Sequence, residues 1–190
     1  TSTYRLATRF AKFHNLPELT SLLSSVADFH QVDESADIPA FDGYNDALVS
    51  KTPAFAAYLA DISTRADDVR NRRISRKDDN MLKITTDGRK AALDLRLVDP
   101  MASFTYQSKV ARCSENVADI YFKTSADKST QIIFCDTSTP KAGFNIYTEL
   151  KDRLVLHGVP ESKIAFVHDA ETETKRSLLF AKVRSGDIRI

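Results

Sequence analysis

The sequence predicts an α/β protein, in which a mostly helical part, residues 1–100, precedes a part with a parallel sheet of three or more strands, residues 101–190. Two patterns support this prediction. Apolar residues recur at helical spacing in the first hundred residues, whereas short apolar runs alternate with helical segments in the remainder. Such alternation is typical of a parallel sheet with crossover helices. The boundary is expected near residues 100–108.

Three helices are predicted in the first part. One follows Pro17 and has its apolar positions at Leu19, Leu22, Leu23 and Val26. Another begins at Thr52-Pro53, where a hydroxyl cap precedes a proline in the first turn. The last begins near Met81, after Asp78, Asp79 and Asn80, and runs to Leu97. A polar loop over residues 31–45 and a short strand over residues 44–49 are expected between the first two helices.

In the second part a strand buried on both faces is predicted at residues 131–135, where the run is short and continuously apolar. A second buried strand is predicted at residues 164–167, and residues 188–190 are expected to begin a third. Helices are expected around residues 110–121, 144–154 and 179–183. Open parallel sheets commonly have about five or more strands. Three strands, together with a chain that starts at Thr1 and ends within an apolar segment, predict an internal piece of a longer protein.

The composition is that of an ordinary globular chain, with 27 basic and 26 acidic residues and a net charge of +1. No apolar run approaches the roughly 18 residues of a membrane helix, and no signal peptide is recognisable. The two cysteines, Cys113 and Cys135, lie in apolar surroundings and are too few for a disulfide scaffold. A cytoplasmic protein without a membrane partner is therefore expected.

The motifs of several catalytic sites are missing. The sequence has no phosphate-binding Gly-x-x-x-x-Gly-Lys-Ser/Thr run and no Gly-x-Ser-x-Gly elbow. Its histidines, His14, His30, His157 and His168, do not have metal-ligand spacing. The acidic run at residues 33–36 is preceded by a polar segment rather than a buried strand. No catalytic residue and no metal site are predicted.

Polar residues follow two of the predicted strands. The first set is Thr137, Ser138, Thr139 and Lys141, and the second is His168 and Asp169. Ligands of open parallel sheets bind at the carboxyl ends of the strands, so both sets are expected on the same side of the sheet. Hydroxyls, backbone N–H groups and a lysine can hold phosphates. An ordinary loop with a proline turn explains the first set equally well.

A basic segment lies between the second and third predicted helices. Its cations are Arg70, Arg72, Arg73, Arg76 and Lys77. Such a cluster can contact a nucleic-acid backbone. A solvated helix end, where cations are favoured by the helix dipole, is the alternative that the small net charge favours.

Several segments of the second part share the order of a known motif series. They are Ser108-Lys109-Val110, residues 132–135, residues 164–169, Lys175-Arg176, Phe180 and residues 188–190. This series resembles the second motor lobe of superfamily-two helicases of the Swi/Snf type. The resemblance implies that residues 1–100 are a helical bridge between lobes and that residues 101–190 are the front of an incomplete, RecA-like lobe.

A narrower resemblance covers nearly the whole chain. It is carried by residues 13–19, 80–90, 134–140 and 183–186. These segments are similar to large bacterial proteins of mobile elements and phages, in which a helicase-like motor is joined to an adenine-specific DNA methylase. The resemblance implies a fragment of a bacterial, cytoplasmic, DNA-dependent ATPase or translocase. DNA, the first motor lobe and the downstream motifs of the parent chain are its implied partners.

The resemblance also implies which residues act. The ATP loop and acidic box of the family precede Thr1, and its arginine finger follows Ile190. ATP and Mg²⁺ therefore belong to the parent, and the fragment alone is expected to need no cofactor and to hydrolyse no ATP. Nucleic-acid contacts carry over to Thr137, Ser138, Thr139 and Lys141. They carry over more weakly to His168 and Asp169, where the family commonly has an Asp-Gly turn.

Two other classes stay open. One is a non-enzymatic protein-interaction module with an α/β core, which would not bind DNA. The other is a receiver-like or ligand-binding domain, for which an acidic cluster at the strand ends is required and only Asp136 and Asp169 qualify.

Overall fold

A computed structural model of the chain describes residues 14–27, 41–140 and 142–190. The chain divides into two compact units, Thr1–Asn45 and Asp46–Ile190. In the first unit the predicted helix is present with Pro17 in its first turn, and none of its residues is buried. The predicted strand at residues 44–49 is absent.

The described residues form six α-helices, one for each predicted helix. They are α1 (Leu16–Ser24), α2 (Pro53–Arg70), α3 (Met81–Leu93), α4 (Lys109–Lys123), α5 (Ile146–Leu156) and α6 (Glu173–Arg184). Single 3₁₀ turns occur at Leu95–Leu97, Glu161–Lys163 and Val167–Asp169. None of these helices is both long enough and apolar enough to cross a membrane.

Side-chain caps determine where five of the helices begin. The capping residues of α2 to α6 are Thr52, Asn80, Ser108, Asn145 and Thr172. In each case a side-chain oxygen accepts a hydrogen bond from a backbone N–H in the first turn. Such caps satisfy donors that have no partner within the helix. The third predicted helix ends earlier than expected, at Leu93, because Asp94 is extended and begins the 3₁₀ turn instead.

The predicted parallel sheet is wrong, because none of the described residues belongs to a β-strand. Neither an α/β fold nor an incomplete RecA-like lobe therefore describes residues 14–27, 41–140 and 142–190, which are helical with irregular connections. Along residues 131–135 the side chains alternate between exposed and half-buried, as they do in extended chain. Residues 164–166 and 188–190 also lack regular structure. The apolar pattern therefore predicted strands wrongly at three segments that the structure shows without regular secondary structure.

The backbone bonds among these three segments explain the difference. Gln131 N–H donates to the Arg189 carbonyl at 2.8 Å, and Arg189 N–H donates to the Lys163 carbonyl at 2.9 Å. Ala165 N–H donates to the Ile190 carbonyl at 2.9 Å, and Ile190 N–H donates to the Lys163 carbonyl at 3.1 Å. A strand ladder needs evenly repeated bonds along both chains. Here the Lys163 carbonyl accepts twice and the pairing stops after one or two residues.

The main core lies between α4 and α5. It comprises Val117, Ala118, Tyr121, Leu154 and Val159. Ile133, Ile164 and Ile190, one from each of the three irregular segments, pack against it while remaining half-buried. The core therefore holds these segments beside one another without the support of a sheet. A second pair of helices, α2 and α3, pack against each other.

Arg65 connects α2 with the start and the middle of α3. Its Nε lies 2.7 Å from Asp79 Oδ2, and its Nη2 lies 3.1 Å from Asp79 Oδ1 and 3.0 Å from Asp87 Oδ2. The Asp79 side chain is largely removed from solvent. The hydrogen bond from Arg65 lowers the pKa of the Asp79 carboxyl below its usual value.

The protein is expected to lose stability as the pH falls through the acidic range. The pKa of Asp79 is lower in the folded state than in the unfolded state, so its contribution is complete above the unfolded pKa. The contribution disappears as the pH falls through the folded pKa. The free energy of unfolding, measured with urea between neutral pH and about pH 3, should show this decline. In Asp79→Asn the free energy of unfolding should depend less strongly on pH. Asp78→Asn, at an exposed neighbour, should leave this dependence unchanged. If the free energy of unfolding depended equally on pH in the two variants, this role of Asp79 would be contradicted.

Candidate functional site

The basic segment forms the corner between α2 and α3. We define the basic corner as Arg70, Arg72, Arg73, Arg76 and Lys77. All five residues are exposed. The end of α2 at Arg70 and the start of α3 at Met81 place them within one short connection. The corner therefore presents its cations to solvent, where a polyanion can reach them.

Two of the five cations are paired with carboxylates. Arg70 Nη1 lies 3.3 Å from Asp67 Oδ1, and Arg73 Nη1 lies 3.3 Å from Asp68 Oδ1. Exposed pairs of this kind contribute little to stability. Arg72, Arg76 and Lys77 form no ion pair with any residue that the structure describes.

The nearby carboxylates do not cancel these three cations. Asp67 and Asp68 already pair with Arg70 and Arg73, and the buried Asp79 pairs with Arg65. Asp78 is the one exposed carboxylate within residues 70–80. The corner is therefore locally positive, although the whole chain carries a net charge of only +1.

Two polar side chains of the loop after residue 135 accept hydrogen bonds from the first turn of α5. Ser138 has a left-handed backbone with φ of 63°, and its Oγ accepts a hydrogen bond from Ile146 N–H at 3.2 Å. Asn145 Oδ1 accepts from Thr148 N–H at 2.9 Å. Free N–H groups at a helix N-terminus are what would attract a phosphate. At α5 two of these N–H groups already bind side chains of this chain.

The remaining predicted contacts of this loop differ from one another. Thr137 is half-buried, and its carbonyl accepts a hydrogen bond from the Cys135 thiol at 3.0 Å. Thr139 is exposed. Lys141 lies outside the described residues, as does the acidic run at residues 33–36.

Tyr147 of α5 brings the two predicted loops together. Its hydroxyl donates to the Cys135 carbonyl at 2.9 Å, and its ring lies edge-on to His168 at 5.1 Å between centroids. Burial raises the pKa of the Tyr147 hydroxyl, which therefore stays a donor. His168 and Asp169 are exposed on the neighbouring 3₁₀ turn. Sequence analysis missed Tyr147, because it falls in the apolar pattern of α5.

A cavity of about 560 Å³ lies beside the three irregular segments. Its walls are mainly the apolar side chains of residues 131–135, 164–167 and 188–190, together with α5 and α6. Asp136, Thr139 and His168 border it as well. Ile132 and Phe134 are 74% and 88% exposed. A volume of this size is within the range of ligand sites, about 300–1,000 Å³.

Ser114 and His157 meet between α4 and α5 without forming a nucleophile. Ser114 Oγ donates to the Ala111 carbonyl at 2.7 Å and lies 3.3 Å from His157 Nε2. Ser114 is only 1% exposed, so a substrate cannot reach it. Burial also raises the pKa of the Cys113 thiol, which disfavours the reactive thiolate. Neither group supplies the geometry of a catalytic site.

No family model, curated protein or solved structure matches this chain. The similarity to helicase motors therefore rests on the sequence segments quoted above.

Proposed function

We propose that this chain contacts the phosphate backbone of DNA, as part of a helicase-like, DNA-dependent ATPase whose ATP and Mg²⁺ sites lie elsewhere in the parent protein. The observation that carries the proposal is a set of three exposed cations that pair with no carboxylate among the described residues, Arg72, Arg76 and Lys77. Contact with the phosphate backbone is electrostatic and is made by exposed Lys and Arg side chains, which neutralise phosphates without reading the bases. The helicase-like motif order supports the choice of DNA as the polyanion.

The basic corner is a better candidate for this contact than the loop after residue 135. In that loop Ser138 caps α5 and Thr137 is half-buried, so both are less able to reach a phosphate. Thr139, Lys141, His168 and Asp169 remain secondary proposals. Asp169 would repel a phosphate unless a neighbouring cation screened it.

Replacing Arg72, Arg76 and Lys77 with glutamine is expected to weaken DNA binding and to lower its dependence on salt. Each lost phosphate contact removes about 0.9 from the slope of log K against log salt on duplex DNA. The slope is negative, and its magnitude should therefore be smaller by about 2 to 3 in the triple variant. Fluorescence anisotropy of labelled duplex and single-stranded DNA, at several salt concentrations, measures both quantities.

A matched triple variant controls for the change in net charge. Arg112, Lys123 and Lys182 are exposed cations on α4 and α6, and glutamines there remove the same charge. For this control, the slope of log K against log salt should differ from the wild-type slope by no more than about 0.9, the value of one phosphate contact. Equal losses in both triple variants would show binding through net charge alone and would contradict the basic corner as the interface. Circular dichroism of all three proteins tests whether the fold is retained.

A further inference from the structure

We infer that Ser75 accepts a phosphoryl group from ATP, transferred by a protein kinase with an acidic substrate groove, and that the phosphate switches off the basic corner. The effect on DNA binding rests on the proposed function, whereas the modification itself does not. The inference depends on the exposure of Ser75, on the backbone around it and on the cations before and after it.

Ser75 lies within the connection that carries the basic corner. Its side chain is exposed, and residues 73–75 belong to neither α2 nor α3. Ser75 Oγ accepts a hydrogen bond from Lys77 N–H at 3.3 Å, and no hydrogen bond among the described residues uses its proton. The hydroxyl is therefore accessible, and its proton is available for transfer.

The cations before Ser75 define the class of enzyme. Arg72 and Arg73 precede the serine by three and two positions, and both are exposed. Arg72 has no ion pair among the described residues, and the pair of Arg73 with Asp68 at 3.3 Å is exposed and therefore weak. Carboxylates of an enzyme can replace Asp68 and bind both guanidiniums. Charge complementarity thus favours a kinase whose substrate groove is acidic.

Two other serines that follow basic residues are less suited as acceptors. Ser177 lies inside α6, so the helix would have to open before this serine entered a groove. Ser185 is the C-cap of α6, and its Oγ lies 3.0 Å from the Lys182 carbonyl and 2.8 Å from Asp187 Oδ2. Its proton is therefore already bound. Sequence alone offers several serines, and the structure favours Ser75.

The transfer forms one bond and breaks one. Ser75 Oγ attacks the γ-phosphorus of ATP in line, and the bond between that phosphorus and the bridging oxygen breaks. ADP leaves with the electron pair of the broken bond. The proton of the serine hydroxyl passes to a carboxylate of the kinase. The products are ADP and phosphoserine.

The phosphate would lie among the cations that the proposed function assigns to DNA. It carries a charge of about −1.5 to −2 near neutral pH. Arg76 is the next residue, and Ser75 Oγ is already bonded to the backbone of Lys77. Ion pairs with these two side chains would be charge-assisted and would compete with DNA phosphates for the same cations. Phosphorylation should therefore weaken the contact with DNA.

Phosphorylation of the full chain in vitro tests the site. The probe is the catalytic subunit of cyclic-AMP-dependent protein kinase, which has an acidic substrate groove, together with ATP. Mass spectrometry should find phosphate on Ser75 and about tenfold less on Ser177 and Ser185. No phosphate on Ser75, or equal amounts on the three serines, would overturn the inference.

Two double variants test the role of the arginines before the serine. Replacing Arg72 and Arg73 with glutamine should slow the modification of Ser75 about tenfold, because the acidic groove loses both of its partners. Replacing Arg112 and Lys123, two exposed cations of α4, removes the same charge and should leave the rate unchanged. Equal rates in the two double variants would contradict recognition by an acidic groove.

DNA binding of the phosphorylated chain tests the switch. By fluorescence anisotropy on labelled duplex DNA, we expect about tenfold weaker binding after kinase treatment and recovery after treatment with a phosphatase. Ser75→Ala, treated with kinase in the same way, should bind like the untreated chain. Unchanged affinity of a chain phosphorylated on Ser75 would overturn the switch. An untreated chain that does not bind DNA would refute the proposed function and the switch together, whereas the mass spectra alone decide the site.

Discussion

Replacing Arg189 with alanine is expected to lower the free energy of unfolding by about 3 kcal/mol. Arg189 is 4% exposed, and its guanidinium lies 4.1 Å from the centre of the Tyr121 ring. Its Nη2 donates to the carbonyls of Tyr121 and Thr124 at 2.9 and 3.1 Å, and its Nε donates to Ser129 at 3.0 Å. Alanine would remove these three hydrogen bonds, leaving the Tyr121 carbonyl with only the Ser125 hydroxyl at 2.9 Å, and would open a cavity beside the ring.

The position of Arg189 at the end of α4 explains why its charge is tolerated. Tyr121 lies in the last turn of α4, and Thr124 is its C-cap. Carbonyls at a helix C-terminus carry partial negative charge and favour a cation. Lysine keeps the charge but has no planar fork, so it cannot reach Ser129 and Thr124 together. Arg189→Lys should therefore recover only part of the lost stability.

Urea unfolding of the full chain measures both Arg189 variants. Arg112→Ala is the control, because Arg112 is an exposed arginine of α4 that pairs with the neighbouring Glu115 at 3.4 Å. Surface substitutions of this kind usually change stability by less than about 0.5 kcal/mol. A loss for Arg189→Ala no larger than that of the control would refute the buried role of the guanidinium. If Arg189→Ala does not fold, the lysine variant still distinguishes the two outcomes.

Leu154→Ala should cost about 3 kcal/mol of unfolding free energy. Leu154 is 1% exposed and belongs to the core that α4 and α5 share with Val159. The substitution removes buried apolar surface and leaves a cavity that the surrounding residues fill only in part. Since Ile133, Ile164 and Ile190 pack on the same core, the irregular segments should also exchange their amide hydrogens faster.

The same helix provides the control for Leu154. Leu156 lies two residues further along α5 and is 83% exposed. Leu156→Ala makes the same chemical change without burial, so its effect should stay within about 0.5 kcal/mol. Equal midpoints of urea unfolding for the two variants would mean that the α4–α5 core does not carry the stability of this unit.

The predicted site could be read from the sequence only in part. The basic corner was recognised from its charges, but the sequence could not show which cations were paired. Asp67 pairs with Arg70 and Asp68 pairs with Arg73, whereas Arg72 forms no ion pair among the described residues. Such pairings depend on which side chains meet after folding.

The cavity was hidden from sequence analysis for a related reason. Its walls were predicted as strands of a parallel sheet, whereas the structure leaves Ile132 and Phe134 exposed beside the cavity. Tyr147 and Arg189 connect these segments by hydrogen bonds, although the sequence patterns assign the two residues only to an apolar helix face and a strand.

Local patterns determined the helices of this protein. Helices form through bonds between residues that are near one another in sequence, so a cap such as Thr52 or Asn80 and an apolar period suffice to predict them. Whether extended segments pair depends on residues far apart in the chain. Residues 131–135 and 188–190 are apolar enough for strands, yet their tertiary positions allow only scattered bonds. The tertiary structure alone therefore decided that the described part of the chain is helical and that its three apolar segments form no sheet.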